Sequence, residues 1–323
     1  MRFLGIIIIM MFLLVGASFE MNDIVETHSK DYIKWMEFDV PYDGMRQAFE
    51  YDINSKGAIN WIDLLAYTVS KNWGKYPGNG RSQEMDKAAT RLTSGETIES
   101  IVAGLQLFPF YREAYGAVLD AMVGEYEVLI DGDKWERMYG LKAFFPLASG
   151  YSFSHFDDFG ESRSYGYKRR HLGHDFMART GTPVISVEDG YVEALGWNRY
   201  GGWRVGIRSV DQKRYYYYAH LRKDHPYHKN LSEGSFVKAG DVIGYVGMTG
   251  YSEEENVNNI STPHLHFGMQ IIFDESQKNG KNQIWIDVYD IINLLAKNKM
   301  SVRRDETTRD FERTFTTNST ITD

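Results

Sequence analysis

The sequence contains no cysteine among its 323 residues. Disulfide bonds, thiolate metal ligands, thiol nucleophiles and a lipidated cysteine anchor are therefore excluded. A metal site in this chain has to use histidine and carboxylate ligands. Basic residues are also scarce, because 36 Lys and Arg stand against 44 Asp and Glu, which gives a net charge of −8. Since phosphate binding needs a basic surface, we expect no nucleic acid among the partners.

An apolar run occupies residues 3–15, directly after the basic residue Arg2. As a helix it would span about 20 Å, which is shorter than the roughly 30 Å hydrocarbon core of a bilayer. Small residues follow at Val15-Gly16-Ala17 and suit cleavage by signal peptidase. We predict that residues 1–17 are a cleaved secretory signal, with an uncleaved membrane tether through residues 3–15 as the alternative. In both cases we expect the remainder outside the cytoplasmic membrane, either secreted or in the cell envelope.

Residues 22–135 show helical periodicity and are predicted to form a helical domain of unknown role. Asn60 can cap a helix whose apolar residues at 61–69 share one face, and Gly74 is the expected stop. A second helix is predicted over residues 111–122. This part of the sequence carries no metal-binding or nucleophile pattern. Shorter helices are predicted at residues 45–51, 84–92 and 98–105.

Residues 141–298 change to short strands separated by glycine turns, which predicts a mainly antiparallel sheet and an α+β chain of more than one domain. Asp189-Gly190 lies between two apolar segments and predicts a tight hairpin there. A helix fits residues 287–297, and the polar tail at 299–323 is expected to be disordered. Further strands are predicted at residues 202–209, 213–220, 236–237, 242–246 and 264–273.

Two short stretches carry histidines at spacings that suit a metal site. They are His171-Leu172-Gly173-His174-Asp175 and Pro263-His264-Leu265-His266-Phe267. Residues two apart in a strand share a face, so His264 and His266 can face one groove while Leu265 and Phe267 pack behind. Gly173 permits a close bend of the backbone in the first stretch. Together the stretches supply the three nitrogen or oxygen ligands of an open zinc site, which leaves a fourth position for water.

Peptide hydrolysis at such a site needs a group for the proton of the attacking water and a donor for the oxyanion. His220 and His264 are the candidates, because an imidazole titrates near neutral pH. Which of the two is the base is left open. Tyr218 and His220 are expected to share a strand face.

Other histidines fit less specific roles. His174 is the rival of His171 as a ligand, although it would point away from Asp175 if a strand begins there. His225 and His228 are interpreted as loop residues. For His155, which precedes the first stretch, a place on the groove wall and a surface role are both open.

Residues from about 153 to 270 resemble the lysostaphin-type (LytM-like) zinc endopeptidases of bacterial cell walls. The resemblance covers about the C-terminal half of the chain and depends on the order and spacing of several motifs. These are the two histidine stretches, Gly181-Thr182-Pro183-Val184, Glu188-Asp189-Gly190-Tyr191-Val192, Tyr218-Ala219-His220-Leu221, Val237-Lys238-Ala239-Gly240-Asp241-Val242-Ile243-Gly244 and Gly247-Met248-Thr249-Gly250.

By resemblance, His171, Asp175 and His266 bind one Zn²⁺ per chain. The resemblance assigns catalytic roles to His220 and His264. It implies a peptidase domain of lysostaphin type that hydrolyses peptide bonds of peptidoglycan with a metal-activated water.

Two departures from the family pattern concern the groove. Tyr251 to Thr262 form a longer acidic and Asn-rich loop, and Gly268 stands where the family often has Glu. Neither removes a ligand, but both bear on substrate specificity. The alternative function is a non-catalytic wall-binding or scaffold module of the same fold.

Overall fold

The computed structural model describes residues 37–130, 132–165 and 167–318. The N-terminal part of this region is helical, as predicted. The predicted signal or anchor at residues 1–17 lies outside the described residues. Within them, no helix is both long enough and apolar enough to cross a membrane. The N-terminal helices are α1 (Tyr42–Ser55), α2 (Trp61–Lys71), α3 (Gln83–Thr93), α4 (Ile98–Val102) and α5 (Phe108–Leu119).

Helix α2 begins at the predicted cap. The Asn60 side chain accepts hydrogen bonds from the backbone N–H groups of Ile62 and Asp63, at 2.9 and 3.2 Å. This satisfies two of the donors that a helix start leaves unpaired. The Asp63 carboxylate pairs with Arg112 of α5 at 2.5 Å, so it links two helices. The apolar face of α2 is buried in the core.

A hairpin follows the helices and begins within the predicted helical domain, residues 22–135. Strands β1 (Val123–Ile130) and β2 (Lys134–Leu141) pair antiparallel across the predicted turn. Valine, isoleucine and tyrosine within this segment favour strands. The division of the chain into domains remains a prediction.

The largest sheet among the described residues has eight strands, and its neighbouring strands pair antiparallel, as predicted for the fold class. Its strands are β3 (Phe153–Ser154), β6 (His174–Ala178), β8 (Gly190–Asn198), β9 (Gly202–Ser209), β10 (Arg214–Ala219), β11 (Phe236–Val237), β13 (His264–Ile271) and β14 (Ile284–Ile286). Their order is β11-β8-β9-β10-β13-β6-β3, and β14 also pairs with β13. A smaller hairpin, β4 (Ser162–Tyr165) with β5 (Tyr167–Arg170), precedes β6.

The predicted Asp189-Gly190 hairpin is wrong. Strand β7 (Pro183–Ile185) pairs with β12 (Val242–Tyr245), whereas β8 pairs with β9 and β11. The Asp189 carboxylate accepts a hydrogen bond from the backbone N–H of Ala239 at 2.7 Å. This long-range contact directs the chain away from a local turn.

The predicted disorder of the tail at residues 299–323 is also wrong for its described part. Strands β15 (Val302–Arg304) and β16 (Phe311–Arg313) form a hairpin, and β17 (Thr317–Asn318) pairs with β1. Buried Asp310 accepts hydrogen bonds from the Tyr245 hydroxyl and the His225 ring at 2.8 and 2.9 Å. Polar composition predicted disorder, but specific contacts order this segment.

One apolar cluster includes residues of both the helices and the large sheet. Arg214 of β10, although charged, is buried beside it and donates a hydrogen bond to the Ala117 carbonyl of α5 at 2.6 Å. Glu188 neutralises this guanidinium at 2.8 Å. Helix α6 (Tyr289–Leu295) follows β14 and buries four aliphatic residues.

Candidate metal centre

Three predicted ligands meet where β6 and β13 pair. His266 lies directly opposite Asp175 in the strand register, and His171 precedes β6. His171 Nε2 is 3.1 Å from Asp175 Oδ1 and 2.9 Å from His266 Nδ1, and the third side of the triangle is 3.0 Å. Two nitrogens and one oxygen therefore point at a common centre.

The geometry of this triangle fits a metal ion. Zinc–ligand distances of about 2.0–2.1 Å in a tetrahedron place the ligand atoms about 3.3 Å apart. The observed separations are only slightly shorter, so a small outward shift of the side chains would accommodate the ion. Two imidazoles and one carboxylate are a typical donor set for zinc.

Gly173 makes the close approach of these elements possible. A Cβ atom at this position would lie 2.6 Å from the His266 ring and 2.8 Å from the Phe267 carbonyl oxygen. Any side chain at residue 173 would therefore push the first stretch away from β13.

Asp158 is a further residue of the site that the sequence reasoning missed. Its side chain is 3% exposed, and its Oδ2 lies 3.1 Å from His171 Nδ1. Ligand histidines commonly donate their second ring N–H to a carboxylate, which fixes the ring and its tautomer. Arg163 Nη2 lies 2.5 Å from the same carboxylate and 3.7 Å from Asp175 Oδ2. A search for an acidic residue shortly before the first histidine stretch would have found Asp158.

The electrostatics of the cluster favour an ionised carboxylate. Burial opposes ionisation of Asp175, but hydrogen bonds from His171 and His266 outweigh it and hold its pKa well below the usual range. Burial also disfavours the charged form of His171, yet Asp158 and Asp175 raise its pKa to about 9. Burial lowers the pKa of His266. A metal ion that binds here has to displace the proton from His171.

His220 and His264 lie next to this cluster, and their rings are 4.8 Å apart. His220 Nδ1 donates to the Thr249 carbonyl at 2.9 Å, and His264 Nδ1 donates to the Thr262 carbonyl at 2.8 Å. Because a carbonyl only accepts, each neutral ring keeps an unprotonated Nε2. Burial and the neighbouring His264 and His266 hold the pKa of His220 well below its usual value.

The expected shared face of Tyr218 and His220 is wrong. Tyr218 is fully buried, and its hydroxyl accepts a hydrogen bond from the Val187 backbone N–H at 3.1 Å. His220 follows the end of β10 with φ of 61°, in the left-handed region that few non-glycine residues adopt. This backbone turn, which no periodicity predicts, interrupts strand alternation at the catalytic candidate itself.

The other histidines of the described residues lie away from the three candidate ligand atoms. His174 Nε2 is 2.9 Å from His155 Nδ1, and both rings pack near Tyr289. His174 is therefore on the opposite side of β6 from Asp175, as strand alternation requires. His225 and His228 pair with acidic residues of the C-terminal segment.

A groove of about 570 Å³ passes the cluster. Trp285, His266 and Gln270 line it. Gly268 lies between the last two in β13, and a Cβ atom there would be 2.7 Å from the Trp285 ring. Trp285 therefore occupies the space that a larger residue at 268 would need. Tyr251, the first residue of the long loop, packs on His220 at 5.6 Å between ring centres.

Comparison with known proteins shows which family the part of the chain around this site is similar to. Residues 169–283 match the model of peptidase family M23. L-Ala–D-Glu endopeptidase of Bacillus subtilis (strain 168) is 39% identical over 145 residues, which cover 45% of this chain and 41% of that protein. Lysostaphin of Staphylococcus staphylolyticus is 39% identical over 98 residues, which cover 30% and 18%. The chain thus spans less than half the length of either relative.

A solved structure extends the likeness beyond the matched domain. The crystal structure of a LytM protein from Ruminococcus gnavus ATCC 29149 superposes with a TM-score of 0.52 at 25% identity, and the match covers 81% of this chain and 91% of that one. These comparisons confirm the resemblance and the predicted fold class.

Proposed function

We propose that the M23 peptidase domain at residues 169–283 is an extracytoplasmic, zinc-dependent endopeptidase that hydrolyses peptide bonds of peptidoglycan. The observation that carries this proposal is the triangle of His171, Asp175 and His266 at the edge of an open groove. The match to a peptidase family supports hydrolysis, and the names of the relatives support wall peptides as the substrate class. Such a substrate requires a location in the envelope or outside the cell.

His171 Nε2, Asp175 Oδ1 and His266 Nδ1 would hold the ion. A zinc ion there would act as a Lewis acid towards a peptide carbonyl and would make a water molecule acidic near neutral pH. Asp158 keeps His171 oriented by accepting from its Nδ1–H.

In this proposal His220 and His264 are the groups that transfer protons during hydrolysis. Their Nδ1–H groups are committed to backbone carbonyls, so Nε2 is the atom that takes a proton from the attacking water or, once protonated, donates to the oxyanion. The low pKa of His220 keeps its ring neutral and able to accept.

Alanine substitutions test these assignments in two classes. His171→Ala, Asp175→Ala or His266→Ala should lose bound zinc and activity together. His220→Ala or His264→Ala should retain zinc while activity falls by about 10²- to 10⁴-fold.

The assay is metal content alongside mass spectrometry of peptides released from wall preparations. A matched control is exposed Arg179→Ala, which should keep both zinc and activity. If protein with one zinc per chain releases no peptide from any wall preparation, the proposed endopeptidase activity is refuted and the scaffold function is favoured.

A further inference from the structure

The groove beside the metal cluster is basic, although the whole chain carries a net charge of −8. Its volume of about 570 Å³ is large enough for a short peptide segment. Two acidic residues, Asp175 and Glu193, contribute to its lining. Five basic residues line it as well: Arg163, Arg169, Arg170, Arg204 and Lys278.

Part of this positive charge is neutralised inside the protein. Arg163 pairs with Asp158 at 2.5 Å, and Lys278 Nζ lies 2.6 Å from Glu193. Glu193 is further shared with Arg208 at 2.8 Å. Asp175 contacts His171 and His266 at 3.1 and 3.0 Å, so neither acidic side chain of the lining is available to the remaining arginines.

Arg169 and Arg204 have no acidic partner among the residues that the structure describes. Each also has a buried Nη1 without a hydrogen-bond partner there. A buried charged donor without an acceptor is unfavourable, and native proteins rarely leave one unpaired. Two such donors in one groove indicate that the acceptor comes from a bound molecule.

Arg169 is fixed in the groove wall. Its guanidinium lies 5.3 Å from the Tyr200 ring centre and 4.9 Å from that of Tyr251. Its Nη2–H also donates to the Tyr251 hydroxyl. Stacking of a planar guanidinium between rings orients its free edge, and residue 169 is two positions before the ligand His171.

Arg204 lies on the groove floor in the same row as a ligand. Val205 of β9 is opposite Tyr218 of β10, so Arg204 is opposite Ala219, the next residue of β10. Ala219 is in turn opposite His266 of β13, so Arg204, Ala219 and His266 lie in one row across the sheet. Two strand spacings place its backbone about 10 Å from that of His266, a distance of about three residues of extended peptide. Burial raises the pKa of Tyr217. The positive charges of Arg204 and Arg169 both oppose this rise, so both guanidinium groups act on the Tyr217 hydroxyl.

We infer that Arg169 and Arg204 bind a carboxylate that the substrate carries within about three residues of the scissile bond. The inference rests on the proposed function and specifies its substrate: an acidic wall peptide, in preference to a neutral glycine bridge. Arginine suits this role because its planar fork matches a carboxylate and remains charged.

A pair of peptides tests the preference directly. They share one sequence and differ in a single group near the scissile bond, a free carboxylate in one and a carboxamide in the other. Charge-assisted hydrogen bonds predict that kcat/KM is about 10- to 100-fold higher for the acid. Arg204→Gln should reduce this preference several-fold, mainly through KM, and Arg169→Gln with Arg204→Gln should abolish it.

Arg204→Gln should lower kcat/KM for the acid several-fold more than kcat/KM for the carboxamide. Arg204→Lys, which keeps the charge, should retain part of the preference and shows that the fold is intact. Arg179→Gln removes an exposed charge outside the groove and should behave like the wild type. Equal cleavage of the two peptides by the wild type, or equal loss of both in Arg204→Gln, would overturn the inference.

Binding separates the inference from the proposed function. Calorimetry with zinc-loaded His264→Ala measures the affinity for both peptides without turnover. If the acid binds more tightly than the amide and Arg204→Gln removes this difference, the carboxylate site is supported even when no peptide is cut. If acid and amide bind equally, the carboxylate site is refuted. Cleavage of wall peptides by the same protein would still support the proposed peptidase function.

Discussion

Asp158 offers an informative substitution, because it contacts the proposed ligand His171 without being one of the three proposed ligands. Its Oδ2 lies 3.1 Å from His171 Nδ1 and 2.5 Å from Arg163 Nη2. Asp158→Ala removes this acceptor and leaves the three ligand atoms in place. We expect metal affinity to fall because the His171 ring is less firmly oriented and less basic.

The structure sets the size of this effect. Loss of such a partner typically weakens metal binding by about 10- to 100-fold, or about 1.4 to 2.7 kcal/mol. The backbone carbonyl of Asp158 also lies 3.2 Å from His171 Nδ1 and remains after the substitution. We therefore expect the low end of the range, about tenfold.

Competition with a chelator of known affinity measures the change. Asp158→Asn keeps an acceptor oxygen without the charge, so its loss should be smaller than that of Asp158→Ala. Exposed Asp157→Ala is the matched control and should bind zinc normally. At saturating zinc, Asp158→Ala should recover most of the wild-type activity. Zinc affinity of Asp158→Ala within twofold of the wild type would refute the positioning role of this carboxylate.

Three further predictions concern the packing of Trp285 beside the groove, the core and metal uptake. Gly268→Ala places a Cβ atom 2.7 Å from the Trp285 ring, so the free energy of unfolding should fall by about 1–3 kcal/mol, with a lower kcat/KM. Glu188→Gln weakens the buried pair with Arg214, whose contact to Asp211 remains, so chemical denaturation should show a loss of about 3 kcal/mol. Because the pKa of His171 is about 9 in the metal-free chain, zinc uptake at pH 7 should release about one proton, and this release should vanish as the pH rises above that value.

Each of these predictions has a control and an outcome that would contradict it. Gly80→Ala adds a methyl group to open space and should leave the melting temperature unchanged. Glu275 is exposed and pairs with Arg208. Glu275→Gln should lower the free energy of unfolding by at most about 1 kcal/mol. If Gly268→Ala leaves the free energy of unfolding unchanged, the contact with Trp285 does not limit the size of residue 268. If Glu188→Gln leaves it unchanged, the buried pair with Arg214 does not stabilise the fold. Calorimetry in buffers of different ionisation enthalpy that detects no proton release at pH 7 would contradict the raised pKa.

Local patterns predicted much of the fold. Helix α2 begins at Asn60 because one side chain satisfies its first donors, and β9 follows its predicted bounds, residues 202–209. Alternation along β13 predicted that Leu265 and Phe267 are buried behind two groove-facing histidines. These features depend on residues within one segment, so the sequence alone predicts them.

Other features depend on contacts between distant segments. Strand β7 pairs with β12, not with its sequence neighbour, and Asp189 likewise bonds to Ala239, 50 residues away in the sequence. The tail is ordered through contacts such as Asp310 with Tyr245. The role of Asp158 and the left-handed turn at His220 likewise follow from tertiary packing and have no periodic signal.

The central claim is that three side chains share one metal ion at the edge of this groove. Crystals of the zinc-loaded protein, measured with anomalous scattering at the zinc edge, test it most directly. We predict one ion within about 2.0–2.2 Å of His171 Nε2, Asp175 Oδ1 and His266 Nδ1. An ion bound elsewhere, or one that contacts only two of these atoms, would contradict the account.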